Sequence, residues 1–314
     1  MKIGFVGAGK MGFTLGRHIN DYLETNTLKN DFSSAVVEGY YSSNPSSAKE
    51  AAMFTNTKAF DNLEDLVKLC DIIFITVPDG QIAIIANELD RLGPLIEGKI
   101  LCHTSGACSS HIFSGMDNQV YGYSIHPIYA VNSKTESYIN FQSCYITIEG
   151  HEKYLDYFVG LFEALGHSVK VIEAENKVKY HCAAVFASNL VIGLYQMASD
   201  LLTECGFDET EAVGALKPLF ENNVNKLMKD GSENALTGPV ERFDIETINN
   251  HQRVIEGEYL TTYQALSRRL AVIALSKKLN DCTDEYKAIQ IFEKYNELVS
   301  NLGGNDEEDS FDIC

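Results

Sequence analysis

The sequence predicts an α/β fold in which a Rossmann-type, doubly wound, mostly parallel sheet is followed by an all-helical domain. Three observations support this prediction. The chain opens with an apolar run, a glycine-rich turn and an amphipathic helix. Short apolar runs then alternate with helical patterns over residues 1–173, as in a parallel sheet with crossover helices. Residues 174–304 show only long helical patterns, which predicts a second domain.

Composition and charge narrow the class of protein. The 314 residues are 45% hydrophobic and 22% charged, which is typical of a globular chain of about two domains. A formal net charge of −19 would repel phosphate backbones, so we expect no nucleic-acid partner. The 8 cysteines include no Cys-x-x-Cys pair, which favours reduced thiols over disulfides or a metal site. Residues 305–314 are rich in acids and are predicted to form a disordered tail.

The apolar segments also predict a location. The first apolar run is a strand ending in glycines and lacks the basic region and cleavage site of a signal peptide. We find no apolar run of the roughly 18 residues that a membrane span requires. We therefore expect a soluble, cytoplasmic protein without a membrane partner.

A Gly-x-Gly-x-x-Gly pattern stands between a predicted strand, residues 3–6, and a predicted helix, residues 11–19. Gly7 permits a tight turn, Gly9 lets a pyrophosphate approach the backbone, and Gly12 lets helix and strand pack closely. The phosphates would bind the free N–H groups at the start of the helix. A glycine turn without a ligand is the alternative. The predicted dinucleotide contacts are Gly7, Ala8, Gly9, Lys10, Met11 and Gly12.

The end of the second predicted strand, residues 35–41, bears on the choice of cofactor. An acid at this position binds the ribose 2′-hydroxyl of NAD and repels the 2′-phosphate of NADP. Here two hydroxyls and an amide follow the strand: Ser42, Ser43 and Asn44. The sequence therefore predicts NADP in preference to NAD, although a Ser-Asn-Pro turn without a ligand would look the same.

Three further predicted strands, residues 71–79, 99–103 and 120–125, end in small polar residues or a histidine. Because the carboxyl ends of parallel strands meet at one edge of a sheet, these ends should face the same crevice as the glycine turn. Ordinary turns are the alternative. The residues concerned are Val77, Pro78, Asp79, Thr104, Ser105, Gly106 and His126. The first half is completed by predicted helices at 46–54, 62–69, 81–92 and 152–165 and strands at 144–149 and 168–172.

The second half begins with a predicted helix over residues 176–205, whose middle is apolar on nearly all sides and should be buried. A second helix starts near Asp208, and Pro218 should kink or break it. Asp230-Gly231 should end it. The remaining predicted helices span residues 244–255, 259–279 and 284–302.

With these residues in hand, the chain resembles a family that joins a Rossmann-like domain to a helical C-terminal domain of unknown function. The family is related to pyrroline-5-carboxylate reductase and to the 6-phosphogluconate and 3-hydroxyisobutyrate dehydrogenases. The resemblance covers all but the tail. It implies an NADP-type fold, a helical domain like that of 6-phosphogluconate dehydrogenase and a homodimer through this domain, but it supplies no substrate. The motifs that carry it are the glycine turn, Val77-Pro78-Asp79, His103-Thr104-Ser105-Gly106, Ser124-Ile125-His126-Pro127, Lys177 to His181 with Ala183-Ala184 and Ser188-Asn189, and Ala235 to Pro239.

The resemblance also suggests where the chemistry occurs. Lys177 and His181 are four residues apart, on one face of the predicted long helix. Related dehydrogenases place a lysine and an asparagine at this spacing against the nicotinamide, so Lys177 would act as the acid or oxyanion stabiliser and His181 would replace the asparagine. Asn189, two turns further on, would orient the substrate, and His126 is the other candidate acid.

Each candidate has a structural alternative. In these alternatives Lys177 is solvated near the start of the helix, and His181 is a hydrogen-bonded core residue. Asn189 then only forms hydrogen bonds with backbone groups. Arg242 is the candidate for gripping a substrate carboxylate, with an exposed surface arginine as the alternative. Arg242-Phe243-Asp244 departs from the family, since relatives usually have Arg-Gly-Asp there.

Three functions compete. The first is an NADP-dependent oxidoreductase that transfers a hydride between NADPH and a small, anionic carbonyl or imine substrate. The second is a non-catalytic NADP(H)-binding sensor or regulatory protein. The third, a methyltransferase, is disfavoured because S-adenosylmethionine would favour an acid after the second strand.

Overall fold

The computed structural model describes residues 1–25 and 35–303, so the predicted acidic tail lies outside the described residues. The chain divides into two compact units, Met1–Val191 and Ile192–Cys314. The domain boundary predicted at residue 173 thus falls inside the first unit. The reason is that the first helix after that residue packs on the sheet, through contacts given below.

The first unit contains an eight-stranded sheet in the described part of the chain, with strand order β3-β2-β1-β4-β5-β6-β7-β8. All neighbouring strands run parallel except the antiparallel pair β6 and β7. The predicted doubly wound, mostly parallel sheet is therefore confirmed. The strands are β1 (Lys2–Val6), β2 (Val36–Tyr41), β3 (Lys58–Ala59), β4 (Ile72–Ile75), β5 (Ile100–His103), β6 (Tyr121–Pro127), β7 (Tyr145–Gly150) and β8 (Ser168–Val171).

Helices cover both faces of this sheet because its central strands are apolar on both sides. In β4, Ile72 and Phe74 point into one core and Ile73 and Ile75 into the other. The first core holds residues from α1, α2 and α5, and the second holds residues from α3 and α4. The helices are α1 (Lys10–Thr25), α2 (Pro45–Thr55), α3 (Leu63–Leu69), α4 (Asp79–Asp90) and α5 (Leu155–Ala164).

The helix predicted over residues 176–205 is two helices, α6 (Lys177–Phe186) and α7 (Asn189–Glu204). The prediction that it is buried was also wrong. Lys177 is the one buried residue of α6, and α7 has none, with Ile192 70% exposed. The apolar side chains of α7 therefore face a surface that no described residue covers.

The same segment corrects the expectation about membrane spans. Ala174–Glu204 contains an 18-residue window of mean hydropathy 1.4, which is long and apolar enough to cross a membrane by length and composition. This is weak evidence for a span, since the segment comprises two separate helices and the first is bonded to the sheet.

The second unit is helical, as predicted. Its longest helix, α8 (Glu209–Ala235), continues through Pro218, and the non-helical residue is Gly231, with φ 77° and ψ 171°. The helix is thus not broken at Pro218, whereas the expected interruption at Gly231 is present, because glycine alone adopts such angles without strain. The helices after it are α9 (Pro239–Arg242), α10 (Ile245–Gln252), α11 (Gly257–Asn280) and α12 (Glu285–Asn301).

Candidate functional site

The three glycines of the opening turn lie in three different structural environments. Gly7 has φ 106°, and a Cβ there would lie 2.9 Å from the backbone carbonyl of Thr76. A Cβ on Gly12 would lie 2.6 Å from the carbonyl oxygen of Gly7. A Cβ on Gly9 would meet only Thr76, at 3.8 Å, so Gly9 is the position open to a ligand. The turn at Gly7 and the close packing at Gly12 are therefore as the sequence predicted, and the approach of a pyrophosphate to Gly9 stays a prediction.

A cavity of about 360 Å³ lies beside this turn, where β1, β2 and β4 end. Its lining includes Gly7, Ala8, Gly9, Ser42, Ser43, Val77 and Pro78, all predicted cofactor contacts. We call it the crevice. Its lining also includes Ser47, Gln81 and Glu88, which the sequence analysis did not single out.

The other predicted cofactor contacts lie outside the lining of the crevice. Asn44 caps α2, since its side chain accepts a hydrogen bond from the backbone N–H of Ser46 at 3.1 Å. Met11 packs against the core of the first unit. The others outside the lining are Lys10, Gly12, Asp79, Thr104, Ser105 and Gly106.

Ser105 connects the end of β5 to three other elements. Its hydroxyl donates to the Asp79 carboxylate at 2.7 Å, at the start of α4. Its backbone carbonyl accepts from the Ser124 hydroxyl at 3.2 Å, in β6, and from Lys177 Nζ at 2.9 Å, in α6. The Ser105 carbonyl is therefore an acceptor shared by side chains of β6 and α6. It follows one of the strand ends that were predicted to converge.

Lys177 is 1% exposed, so the alternative of a solvated lysine is wrong. Burial lowers the pKa of its amine to about 8, although the nearby Glu149, Cys108 and Asp79 favour the charged form. Desolvation disfavours an ammonium ion, and this explains the direction of the shift. A lysine with such a pKa is protonated at neutral pH and gives up its proton readily.

Two histidines lie beside Lys177. The rings of His126 and His181 are 6.0 Å apart, and a Cβ on Gly106 would be 2.4 Å from His181 and 2.9 Å from His126. His126 Nδ1 is 2.6 Å from the Tyr180 hydroxyl. Burial and then the charge of Lys177 lower the pKa of His126 to about 3, so this ring is neutral at pH 7. Gly106 thus leaves room for both rings.

Two buried residues near this group were not proposed as site residues. His103 accepts a hydrogen bond at Nδ1 from the backbone N–H of Ser105, so its proton lies on Nε2. Glu149 is 3% exposed, and its carboxylate accepts from the N–H and the hydroxyl of Ser110 at 2.6 and 2.8 Å. In β7, Thr147 and Glu149 alternate with isoleucines. This alternation is the feature of the sequence that could have identified Glu149 as a candidate.

The last two candidates belong to other elements of the chain. Asn189 begins α7, after the interruption at residues 187–188, so it does not continue the helical face of Lys177 and His181 as expected. Its side chain accepts from the Ser188 hydroxyl at 3.1 Å. Arg242 is exposed in the second unit. Their roles as substrate ligands stay predictions. Within residues 1–25 and 35–303, no group of three metal-ligating side chains could hold a metal ion.

Two family models match separate segments of the chain. Residues 1–97 match the oxidoreductase family with an NAD-binding Rossmann fold. Residues 144–270 match a domain of unknown function, DUF2520. No curated protein gives a significant match to the chain.

Solved structures share the fold. Protein TM1727 from Thermotoga maritima is 25% identical, with 88% of this chain and 99% of that chain covered and a TM-score of 0.68. BF3122 from Bacteroides fragilis, provisionally named an NADP oxidoreductase, is 21% identical, with 86% and 97% covered and a TM-score of 0.62. A ketol-acid reductoisomerase that prefers NADH, from an uncultured archaeon, is 14% identical, with 96% and 92% covered and a TM-score of 0.58.

Proposed function

We propose that this chain is an NAD(P)-dependent oxidoreductase that transfers a hydride between NADPH and a small, anionic carbonyl or imine substrate. The matches of residues 1–97 to the oxidoreductase family with an NAD-binding Rossmann fold and of residues 144–270 to DUF2520 support the proposal. The observation that carries the proposal is the buried amine of Lys177, bonded to the carbonyl of Ser105 where β5 ends. The crevice holds the phosphates through the main-chain amides of its glycine turn. Bound there, the cofactor supplies the hydride.

The proton comes from Lys177. Reduction of a carbonyl or imine needs a donor that protonates the oxygen or nitrogen as the hydride arrives. With its pKa at about 8, the Lys177 ammonium is charged at neutral pH and close to the optimum for a general acid. His126 is neutral there and is the weaker candidate acid. His181 faces Gly106 beside it and would orient the substrate.

NADP is preferred over NAD in this proposal. Ser42 and Ser43 line the crevice at the end of β2, where an acid would repel a 2′-phosphate. Glu38, the acid within β2, lies 3.4 Å from Lys2 and 3.6 Å from Lys58. Its charge is therefore partly neutralised by lysines of the two neighbouring strands.

The test is deuteride transfer. NADPH labelled at C4 of the nicotinamide is incubated with a panel of small keto acids and cyclic imino acids. We expect stereospecific transfer of deuterium to at least one member. Tight NADPH binding without turnover on any member would favour the second candidate, a regulatory protein that senses NADPH.

The protein forms a homodimer in this proposal, with α7 in the interface. Ile192 and Leu194 are 70% and 46% exposed, and a surface of this kind is typical of an interface between subunits. Ile192→Asp should convert the dimer to a monomer in analytical ultracentrifugation. Met53→Asp, at an 85% exposed apolar residue of the first unit, is the matched control and should leave the dimer intact. A monomeric wild-type protein would contradict the proposal.

We place the protein in the cytoplasm.

A further inference from the structure

The second unit contains a cavity of about 500 Å³. Its walls are the carboxyl end of α9, the last turn of α11, residues 287–294 of α12 and the connection between α11 and α12. All of these elements belong to the second unit. We call it the basic cavity, because five of its lining residues are cations: Arg242, Lys277, Lys278, Lys287 and Lys294.

This concentration of positive charge runs against the rest of the chain. The sequence has 25 lysines and arginines against 44 acids. Three acids also line the cavity, but two of them are engaged. Glu241 pairs with Lys278 at 3.2 Å, and the Asp284 side chain caps α12 by accepting from the Lys287 backbone N–H at 3.0 Å. Lys277 and Lys278 also lie near the carboxyl end of α11, where lysines are common for their effect on the helix dipole.

That explanation does not extend to the other cations. Lys287 and Lys294 lie in the first ten residues of α12, on one helical face with Ile291 between them. Lys287 lies in the first turn of α12, where partial positive charge disfavours a cation, whereas Lys294 lies in the middle of the helix, away from either end. Across the part of the chain that the structure describes, neither these two lysines nor Arg242 has a carboxylate within 4.0 Å. The three cations therefore share a concave surface on which none of them forms an ion pair with a described residue, and cations outnumber acids in its lining by five to three.

Two residues in the lining of the basic cavity are apolar, and we call them its apolar floor. Phe243 and Ile291 contribute to its lining, and the Lys278 amine lies 5.3 Å from the centre of the Phe243 ring. Phe243 has φ 54° and ψ 43°, a left-handed conformation that is unfavourable for a residue with a bulky side chain. Such strain is retained where the surroundings fix the residue, often at binding sites. The lining of the cavity thus combines cationic side chains with an aromatic one.

We propose that the basic cavity binds a nucleoside di- or triphosphate. Its volume lies within the range of small-molecule sites, roughly 300–1,000 Å³. The phosphates would contact the amines of Lys287 and Lys294 and the guanidinium of Arg242, which suits bidentate contact with phosphate oxygens. The base would lie over the apolar floor. The site uses side-chain charges and is separate from the crevice, which is lined by residues of the first unit alone.

ATP binding to the full-length protein, measured by isothermal titration calorimetry with NADPH at saturation, tests the proposal. NADPH fills the crevice, so the remaining ATP binding reports on a second site. The Lys287→Gln/Lys294→Gln double variant should bind ATP about tenfold more weakly, since two partly screened charges are lost. The matched control is Lys226→Gln/Lys229→Gln, which removes two exposed lysines of α8 and should keep the wild-type affinity.

Further ligands separate the parts of the site. Pyrophosphate should bind more weakly than ATP, because it lacks a group for the apolar floor. AMP should also bind more weakly, because it carries fewer charges. Three results would overturn the proposal: no saturable ATP binding beside NADPH, an equal loss of affinity in the control variant, or pyrophosphate and ATP binding equally well.

Discussion

The crevice and the basic cavity would both bind phosphates, but by different means. The crevice offers main-chain amides at a glycine turn, and none of its lining residues is a lysine or arginine. The basic cavity offers five cationic side chains from separate helices. In a chain of net charge −19, a turn of backbone donors acts locally and needs no basic surface. Where the local sequence provides no such turn, tertiary packing can bring cationic side chains together instead. Their charges then attract the phosphates.

Among the described residues of the first unit, Lys177 is the buried cation, and its removal should have the largest effect. Lys177→Met should lower kcat by about 100-fold or more, because the general acid is lost. NADPH affinity should stay unchanged, since the phosphates bind elsewhere. Lys179→Met, at an exposed lysine of the same helix, is the control. Steady-state kinetics and fluorescence titration with NADPH give both values, and a kcat within a factor of about two of wild type would remove Lys177 from the mechanism.

Two glycine substitutions should separate packing from binding in the crevice. Gly12→Ala introduces a Cβ 2.6 Å from a backbone oxygen, and we expect a loss of about 1–3 kcal/mol in the free energy of unfolding. Gly9→Ala meets nothing closer than 3.8 Å, so its stability should be retained while NADPH binds about tenfold more weakly. Urea denaturation and NADPH titration measure the two effects. Equal stability of both variants would contradict this division of roles.

The pH dependence of the rate should follow Lys177. In the direction of reduction the protonated amine is the active form, and burial places its pKa at about 8. The rate should therefore be level below this pH and fall above it, by about tenfold per pH unit. Reactions measured from pH 6 to 10 with one substrate supply the profile. A rate that rises through pH 8 would show that the neutral amine is the active form.

The smallest of the expected effects is a change in cofactor preference after a substitution at the end of β2. Ser42→Asp places a carboxylate at the end of β2 and should shift the ratio of kcat/KM for NADPH over NADH by about tenfold toward NADH. Ser46→Asp, at an exposed position in the first turn of α2, adds the same charge outside the lining of the crevice. An equal shift in both variants would mean that general electrostatics, and not the strand end, sets the preference.

Some expectations failed for a definable reason. The apolar stretch from residue 176 to 205 was expected to be one buried helix, since a helix apolar on most sides is normally buried. The structure interrupts it at residues 187–188, holds the first half on the sheet through Lys177, and leaves the second half exposed. The hydropathy of such a segment predicts that it is buried against another surface. It does not predict which surface, or which copy of the chain, buries it.

The sequence by itself determined the sheet, the glycine turn and the helical second half. These depend on backbone geometry and on periodicities between near neighbours, such as the three-residue spacing of Gly9 and Gly12. Only the tertiary structure decided that Lys177 reaches the carbonyl of Ser105, 72 residues away, and that Arg242 joins lysines from two other helices. Side chains that meet through long-range packing leave no mark in local spacing, because each must satisfy only its own helix or strand until the chain has folded.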